Sequence, residues 1–168
     1  MAYLIDACCF IEARDRYFPF DICPGFWDWL DKENEAGNVF SIDQVYAELQ
    51  DRNDDLADWA KQRSSTLFLP SDNTITASMS TVGQWLVSRP STHFTRPAVN
   101  TFMRRADPFL VAHALANSHT VVTEETPNNP NQINKVKIPT VCQHFKIPCI
   151  TLHEALRATG ATLILSQK

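Results

Sequence analysis

The sequence predicts an α/β protein built from βαβ units around a mostly parallel sheet of about five strands. Three observations carry that prediction. Short apolar runs alternate with stretches of helical periodicity, the pattern left by parallel strands with crossover helices. The 168 residues, 44% hydrophobic and 20% charged, suit one compact domain with a real core. No repeat, low-complexity segment or linker divides residues 1–168.

Each element follows in order. Tyr3-Leu4-Ile5 reads as the first strand, with Asp6 directly at its end. Residues 10–17 read as a short helix, and the aromatic stretch around Pro19 and Pro24 as a turn-rich segment. Phe26 to Glu35 reads as a helix stopped by Gly37. Val39-Phe40-Ser41 is the second strand, after which Ser41 or Asp43 is expected to cap a helix through Val45, Tyr46, Glu48 and Leu49. Residues 54–64 read as helical, Leu67-Phe68-Leu69 as the third strand, and residues 72–88 as another helix. Pro90 and Pro97 frame an expected loop. Residues 104–118 form the clearest helix, and Val121-Val122-Thr123 the fourth strand. A long polar loop follows, then a short helix from Pro139 to Phe145, a fifth strand at Cys149-Ile150-Thr151 and a last helix over roughly 152–158.

Composition narrows the class of function. No apolar run approaches the roughly 18 residues of a membrane span. The N-terminus has no basic leader and carries Asp6 inside its apolar stretch, which leads us to expect a cytoplasmic protein. Five cysteines, two of them adjacent, read as free thiols in a reducing compartment. The net charge of -4 hides an asymmetry: residues 1–58 hold 14 acids and 4 bases, residues 59–168 hold 5 acids and 11 bases. A mildly acidic chain can therefore still present a basic surface to an anion such as nucleic acid.

In open parallel sheets, ligands bind outside the carboxyl ends of the strands. Asp6 ends the first strand, and Glu124 and Glu125 end the fourth. Glu48 lies on the helix after the second strand, and Asp107 starts the helix before the fourth. These acids converge if the first and fourth strands are neighbours. Clustered carboxylates repel one another, and a divalent cation relieves that cost. Mg²⁺ and Mn²⁺ prefer oxygen ligands and stabilise charge developing on a phosphoryl group. Carboxylates beside basic loops thus favour phosphodiester hydrolysis over glycoside hydrolysis, which needs two carboxylates and no basic surround.

At the level of whole motifs the chain resembles the PIN-domain nucleases, and within them a PIN-like subgroup of bacterial proteins. "YLIDACCFIEA" resembles the family's first strand, first acid and short helix. "SIDQVYAEL" resembles its second motif and puts Glu48 in the second acid's place. "ADPFLVAHAL" resembles the third and points to Asp107, and "VVTEE" resembles the strand ending Thr-x-acid and points to Glu125 rather than Glu124. "YFPFDICPGFWDWL" suggests the narrower subgroup. The resemblance runs from Tyr3 to about Ile150.

It implies a three-layer α/β/α sandwich and a metal-dependent endoribonuclease, with Mg²⁺ or Mn²⁺ held by Asp6, Glu48, Asp107 and Glu125. Phosphates along the RNA would meet Arg89, Arg96, Arg104, Arg105, Lys135 and Lys137. It also implies the toxin of a bacterial toxin–antitoxin pair, hence a cognate antitoxin partner, and a homodimer. Two positions depart from the family pattern. Cys8 stands where a polar Asn or Ser supports the first acid, so a looser orientation of Asp6 is expected from the weak thiol donor. The fourth acid is Glu125 where Asp is common.

Other signals weigh less. Cys142, His144, Cys149 and His153 are zinc-ligand types, but their spacing fits no finger pattern and the intervening strand would scatter them. His93 and His113 read as a loop and a helix-face residue, and the four tryptophans as core or interface. The aromatic 17–29 stretch could equally be a partner surface. A haloacid-dehalogenase-like phosphatase needs a second Asp where Cys8 stands, and a response-regulator receiver needs an acid pair and a late Lys that are not evident. The alternatives that remain are a weak or inactive PIN-like binding module and a DNA-directed nuclease.

Overall fold

A computed structural model describes residues 1–88 and 94–164. Five strands form one all-parallel sheet: β1 (Tyr3–Ile5), β2 (Val39–Ile42), β3 (Phe68–Leu69), β4 (Thr120–Val122) and β5 (Cys149–Ile150), in the order β3-β2-β1-β4-β5. The register aligns Ile5 with Val122, and Val122 with Ile150, so β1, β4 and β5 end level with one another. Leu4, Ile5, Val39, Val121 and Val122 are buried, as expected of strands covered on both faces.

The chain order explains the layers. From β1 it steps outward to β2 and β3, then returns past β1 to β4 and β5. Right-handed crossovers therefore put the two sets of helices on opposite faces. Helices α1 (Ala7–Glu12), α2 (Pro24–Glu35), α3 (Asp43–Gln50) and α4 (Asp55–Lys61) belong to the first set. Helices α5 (Asn73–Ser88), α6 (Arg96–Met103), α7 (Asp107–Asn117) and α8 (Ile138–Phe145) pack together as the second. The last helix, α9 (Leu152–Ala158), joins the first layer, where Trp29 Nε1 donates to Thr159 Oγ1 at 2.9 Å. The result is a three-layer α/β/α sandwich.

Several elements differ from the expectation, each for a physical reason. The first helix starts at Ala7, immediately after Asp6, and its end is wound as a π-helical turn over Ala13–Tyr17. Ser41 and Asp43 do not cap α3. Ser41 is buried and gives its hydroxyl to the Ile5 carbonyl at 2.6 Å, tying β2 to β1, and Ile42 occupies the cap position. The expected loop between Pro90 and Pro97 lies largely outside the described residues, and at its end the chain enters a helix that was not expected, α6. Pro97 lies in the first turn, where a missing N–H costs nothing, and the Thr95 hydroxyl accepts from Ala98 N. The helix expected from residue 104 begins at Asp107, with Arg104 and Arg105 in the link from α6.

The aromatic stretch turns mostly inward. Phe18 stacks on Phe26 with ring centroids 4.6 Å apart, Phe20 on Trp27 at 4.1 Å, and Trp27 meets Trp59 edge-on at 4.8 Å. Phe26, Trp27 and Trp29 are buried, so this segment is core under α2, with Tyr17 and Ile22 left on the outside. No helix among the described residues is long and apolar enough to cross a membrane.

Candidate active site

The sheet order reverses between β1 and β4, which makes the crevice at their carboxyl ends the expected ligand position. Asp6 stands at that point on β1, and Thr123, Glu124 and Glu125 leave β4 beside it. The condition for the acids to converge is thus met by the strand pairing itself.

Asp6 is buried and held by two donors. The Thr123 hydroxyl donates to its Oδ2 at 2.8 Å, and the Cys8 thiol donates to the same oxygen at 2.9 Å. Burial, and after it the neighbouring Cys8, push the Asp6 carboxyl well above the usual carboxylate range, with Glu125's charge adding a little and the Thr123 hydroxyl opposing. Thr123, itself buried, also accepts the Glu125 N–H at 3.2 Å, so one hydroxyl joins two of the acids. The sequence contained its signal in the Thr-x-Glu spacing, yet Thr123 had no assigned role. Its hydrogen bond supplies the firm orientation of Asp6 that Cys8 alone would leave loose.

Asp107 opens α7 and is half-buried. No donor among the described residues reaches its carboxylate. Burial first, then the negative charges of Asp6, Glu125 and Glu48, push it up to about 7, against the opposing pull of Arg105. The charges of Asp6, Glu125 and Glu48 thus all bear on Asp107.

The two glutamates are placed differently. Glu48 Oε1 accepts the Ala106 N–H at 3.2 Å, at the start of α7. Glu125 Oε2 accepts the Ile138 N–H at 3.0 Å, at the start of α8, and its Oε1 takes the Lys135 ammonium at 2.8 Å. Glu124 turns the other way and accepts the Leu152 N–H at 2.9 Å at the start of α9. Each glutamate answers an orphan N–H at the positive end of a helix. Helix termini therefore offset part of the repulsion that the sequence assigned wholly to a cation. Among the described residues, no three His, Cys, Asp or Glu side chains are grouped so as to hold a metal ion.

The predicted basic residues sit on different elements. Arg105 and Lys135 line one cavity with Asp107. Lys137 precedes α8, with its Nζ 3.4 Å from Thr126 Oγ1. Arg104 is exposed in the α6–α7 link. Arg96 begins α6, next to Pro97, which lines that cavity. Arg89 and His93 lie outside the described residues.

His113 lies on the buried face of α7, with Nε2 3.4 Å from Ser71 Oγ, and burial lowers its pKa. Of the zinc-type residues, the thiols of Cys142 and Cys149 lie side by side, while His144 stacks on Trp85 at 4.2 Å and His153 meets Tyr17 edge-on at 6.0 Å.

Comparison with known proteins gives a family and no function. Among curated proteins and among solved structures, none matches the chain. Residues 3–163 match a family described as a domain of unknown function, DUF4411, and that span covers nearly the whole chain. The chain belongs to the DUF4411 family.

Proposed function

We propose that this protein is a divalent-metal-dependent nuclease acting on RNA, with Asp6 and Asp107 as its principal metal ligands. The observation that carries the reading is the pair itself. Two carboxyls converge where the sheet order reverses, both are held above the ordinary range, and Asp107 has no donor among the described residues. The donor chemistry fits a hard cation. Mg²⁺ keeps several waters and is commonly bound through one or two carboxylates plus substrate phosphates, so a cage of three protein ligands is not required.

A cation bound there supplies the positive charge that holds a scissile phosphate and lowers the pKa of a water. The chain's own residues do the rest. Thr123 and Cys8 fix the Asp6 carboxylate through Oδ2. Glu48 and Glu125 add negative charge from the starts of α7 and α8, and Glu125 keeps lone pairs free to orient a water. Arg105 and Lys135 receive phosphate oxygens beside Asp107. RNA as the substrate, and the place of the chain as the toxin of an antitoxin-controlled pair, rest on the resemblance to PIN-domain nucleases.

The test incubates the protein with labelled RNA and labelled DNA, in Mn²⁺ or Mg²⁺ and in chelator. The reading expects RNA cleavage that needs the cation and is lost in Asp6→Asn. Cleavage in chelator, or full cleavage by Asp6→Asn, sinks it. Preferential cleavage of DNA would replace the substrate and keep the site.

A further inference from the structure

A cavity of about 290 Å³ opens beside Asp107, between α6 and the loop that follows β4. It is at the small end of ligand cavities, which run from roughly 300 to 1,000 Å³. Its apolar side is presented by Pro97, which is exposed, with the buried Phe102 and Val136 packed behind it. Thr101 and Asn134 supply a hydroxyl and an amide, groups that donate and accept. Arg105 and Lys135 supply positive charge at the end shared with Asp107. Among the described residues the Arg105 guanidinium forms no ion pair, while the Lys135 ammonium has one contact with Glu125 and up to two further protons to give.

The walls are fixed relative to each other. The Thr95 N–H donates to the Ile133 carbonyl at 2.9 Å, joining the start of α6 to the loop. Asn128 wires the loop internally: its amide nitrogen donates to the Lys135 carbonyl at 2.7 Å, and its oxygen accepts from Lys137 N at 3.1 Å and Thr140 Oγ1 at 2.8 Å. Glu125 holds the same loop through Lys135 and the start of α8. A cavity held on both sides in this way loses little freedom on binding.

We propose that this cavity is a subsite for one nucleotide unit of the substrate, with the base against the exposed ring of Pro97 and the phosphate on Arg105 and Lys135. The chemistry matches on each side. A nucleobase offers an apolar face and polar edges, which suits an apolar wall flanked by Thr101 and Asn134. The phosphate then lies at the Asp107 end, where the reaction is assigned. The inference rests on the nuclease reading for its place in catalysis, but binding at the cavity is a separate property that needs no cation.

The test uses the intact chain in chelator, titrated with adenosine 5′-monophosphate, uridine 5′-monophosphate, the two nucleosides and inorganic phosphate, and followed by backbone amide NMR. The expected result is movement of the Thr101, Arg105 and Asn134 amides, with a mononucleotide binding at least about ten-fold tighter than inorganic phosphate. Arg105→Met and Lys135→Met should each weaken the mononucleotide about ten-fold, the usual loss for one charge-assisted hydrogen bond. Spectra of the unliganded variants check that each is folded, and the wild-type shift map tests the location without any variant. Movement confined to other residues overturns the proposal, as does a mononucleotide no tighter than phosphate. RNA cleavage without mononucleotide binding overturns the subsite alone. Mononucleotide binding at these amides without any cleavage overturns the nuclease reading alone.

Discussion

Replacing Asp107 by Asn tests the electrostatic account before any substrate is involved. The carboxyl ionises near 7 in the folded chain, against an ordinary 3.8. Each pH unit of such a difference corresponds to about 1.36 kcal/mol, so the fully ionised group costs the fold about 4 kcal/mol. Below pH 4 both states are protonated and the cost vanishes. It grows as pH rises from about 4 to about 7, because the unfolded chain gives up its proton first, and stays constant above. An Asn at this half-buried position keeps a polar amide that also lacks partners, so about 2 kcal/mol of gain should survive. For a chain of this length that is a rise in Tm of about 4–8 °C at pH 8 in chelator, shrinking to near zero at pH 4. Thermal melts of both proteins across that range are the assay. Mg²⁺ should raise the wild-type Tm at pH 8 and leave Asp107→Asn almost unmoved. A variant less stable than wild type at pH 8, or a gap that does not widen with pH, would refute the reasoning.

Three further predictions concern the wiring around Asp6. Thr123→Val removes the 2.8 Å donor to Asp6 and should cost about 1–3 kcal/mol of stability and weaken Mn²⁺ binding about 10–100-fold, read by calorimetry; unchanged Mn²⁺ affinity would dismiss its orienting role. Cys8→Ser exchanges a weak donor for a stronger one at the same oxygen, so Mn²⁺ affinity should hold or rise, while Cys8→Ala should lose no more than about ten-fold because Thr123 remains. Abolished binding in Cys8→Ala would show that the thiol, not Thr123, supports the site. Glu125→Gln should slow RNA cleavage about ten-fold or more, whereas Glu124→Gln, which touches only the start of α9, should stay within about two-fold of wild type and lose about 1 kcal/mol in a melt. The reverse order would exchange the roles of the two glutamates.

The middle of the sheet was legible because its strands are mostly buried on both faces and read as plain apolar runs, from Tyr3-Leu4-Ile5 to Val121-Val122. Asp6 and Asp107 were legible for a related reason: an acid directly after an apolar strand, or opening an alanine-rich helix, stands out from its surroundings. Helix α6 was hidden by the proline in its first turn, since Pro97 reads as a breaker until Thr95 is seen capping that turn. The partners of Glu48, Glu124 and Glu125 were hidden more deeply. Each bonds the first free N–H groups of a helix distant in sequence, and no local pattern reports that a side chain 58 residues away, as for Glu48 and Ala106, answers a helix start. Thr123 lay between the two cases. Its spacing from Glu125 was visible, but its bond to Asp6 depends on the pairing of β1 with β4. The cavity beside Asp107 needed both α6 and the folded loop, so it had no trace in the sequence.

The central claim is that Asp6 and Asp107 jointly hold the cation on which phosphodiester cleavage depends. The most direct measurement is cleavage of a labelled RNA by wild type, Asp6→Asn and Asp107→Asn across a Mn²⁺ titration, with Mn²⁺ binding measured on the same preparations. The account predicts cation-dependent cleavage by wild type, with loss of both cleavage and high-affinity Mn²⁺ binding in each variant while the fold is retained. Wild-type cleavage that persists in chelator, or variants that bind Mn²⁺ and cleave as wild type does, would contradict it.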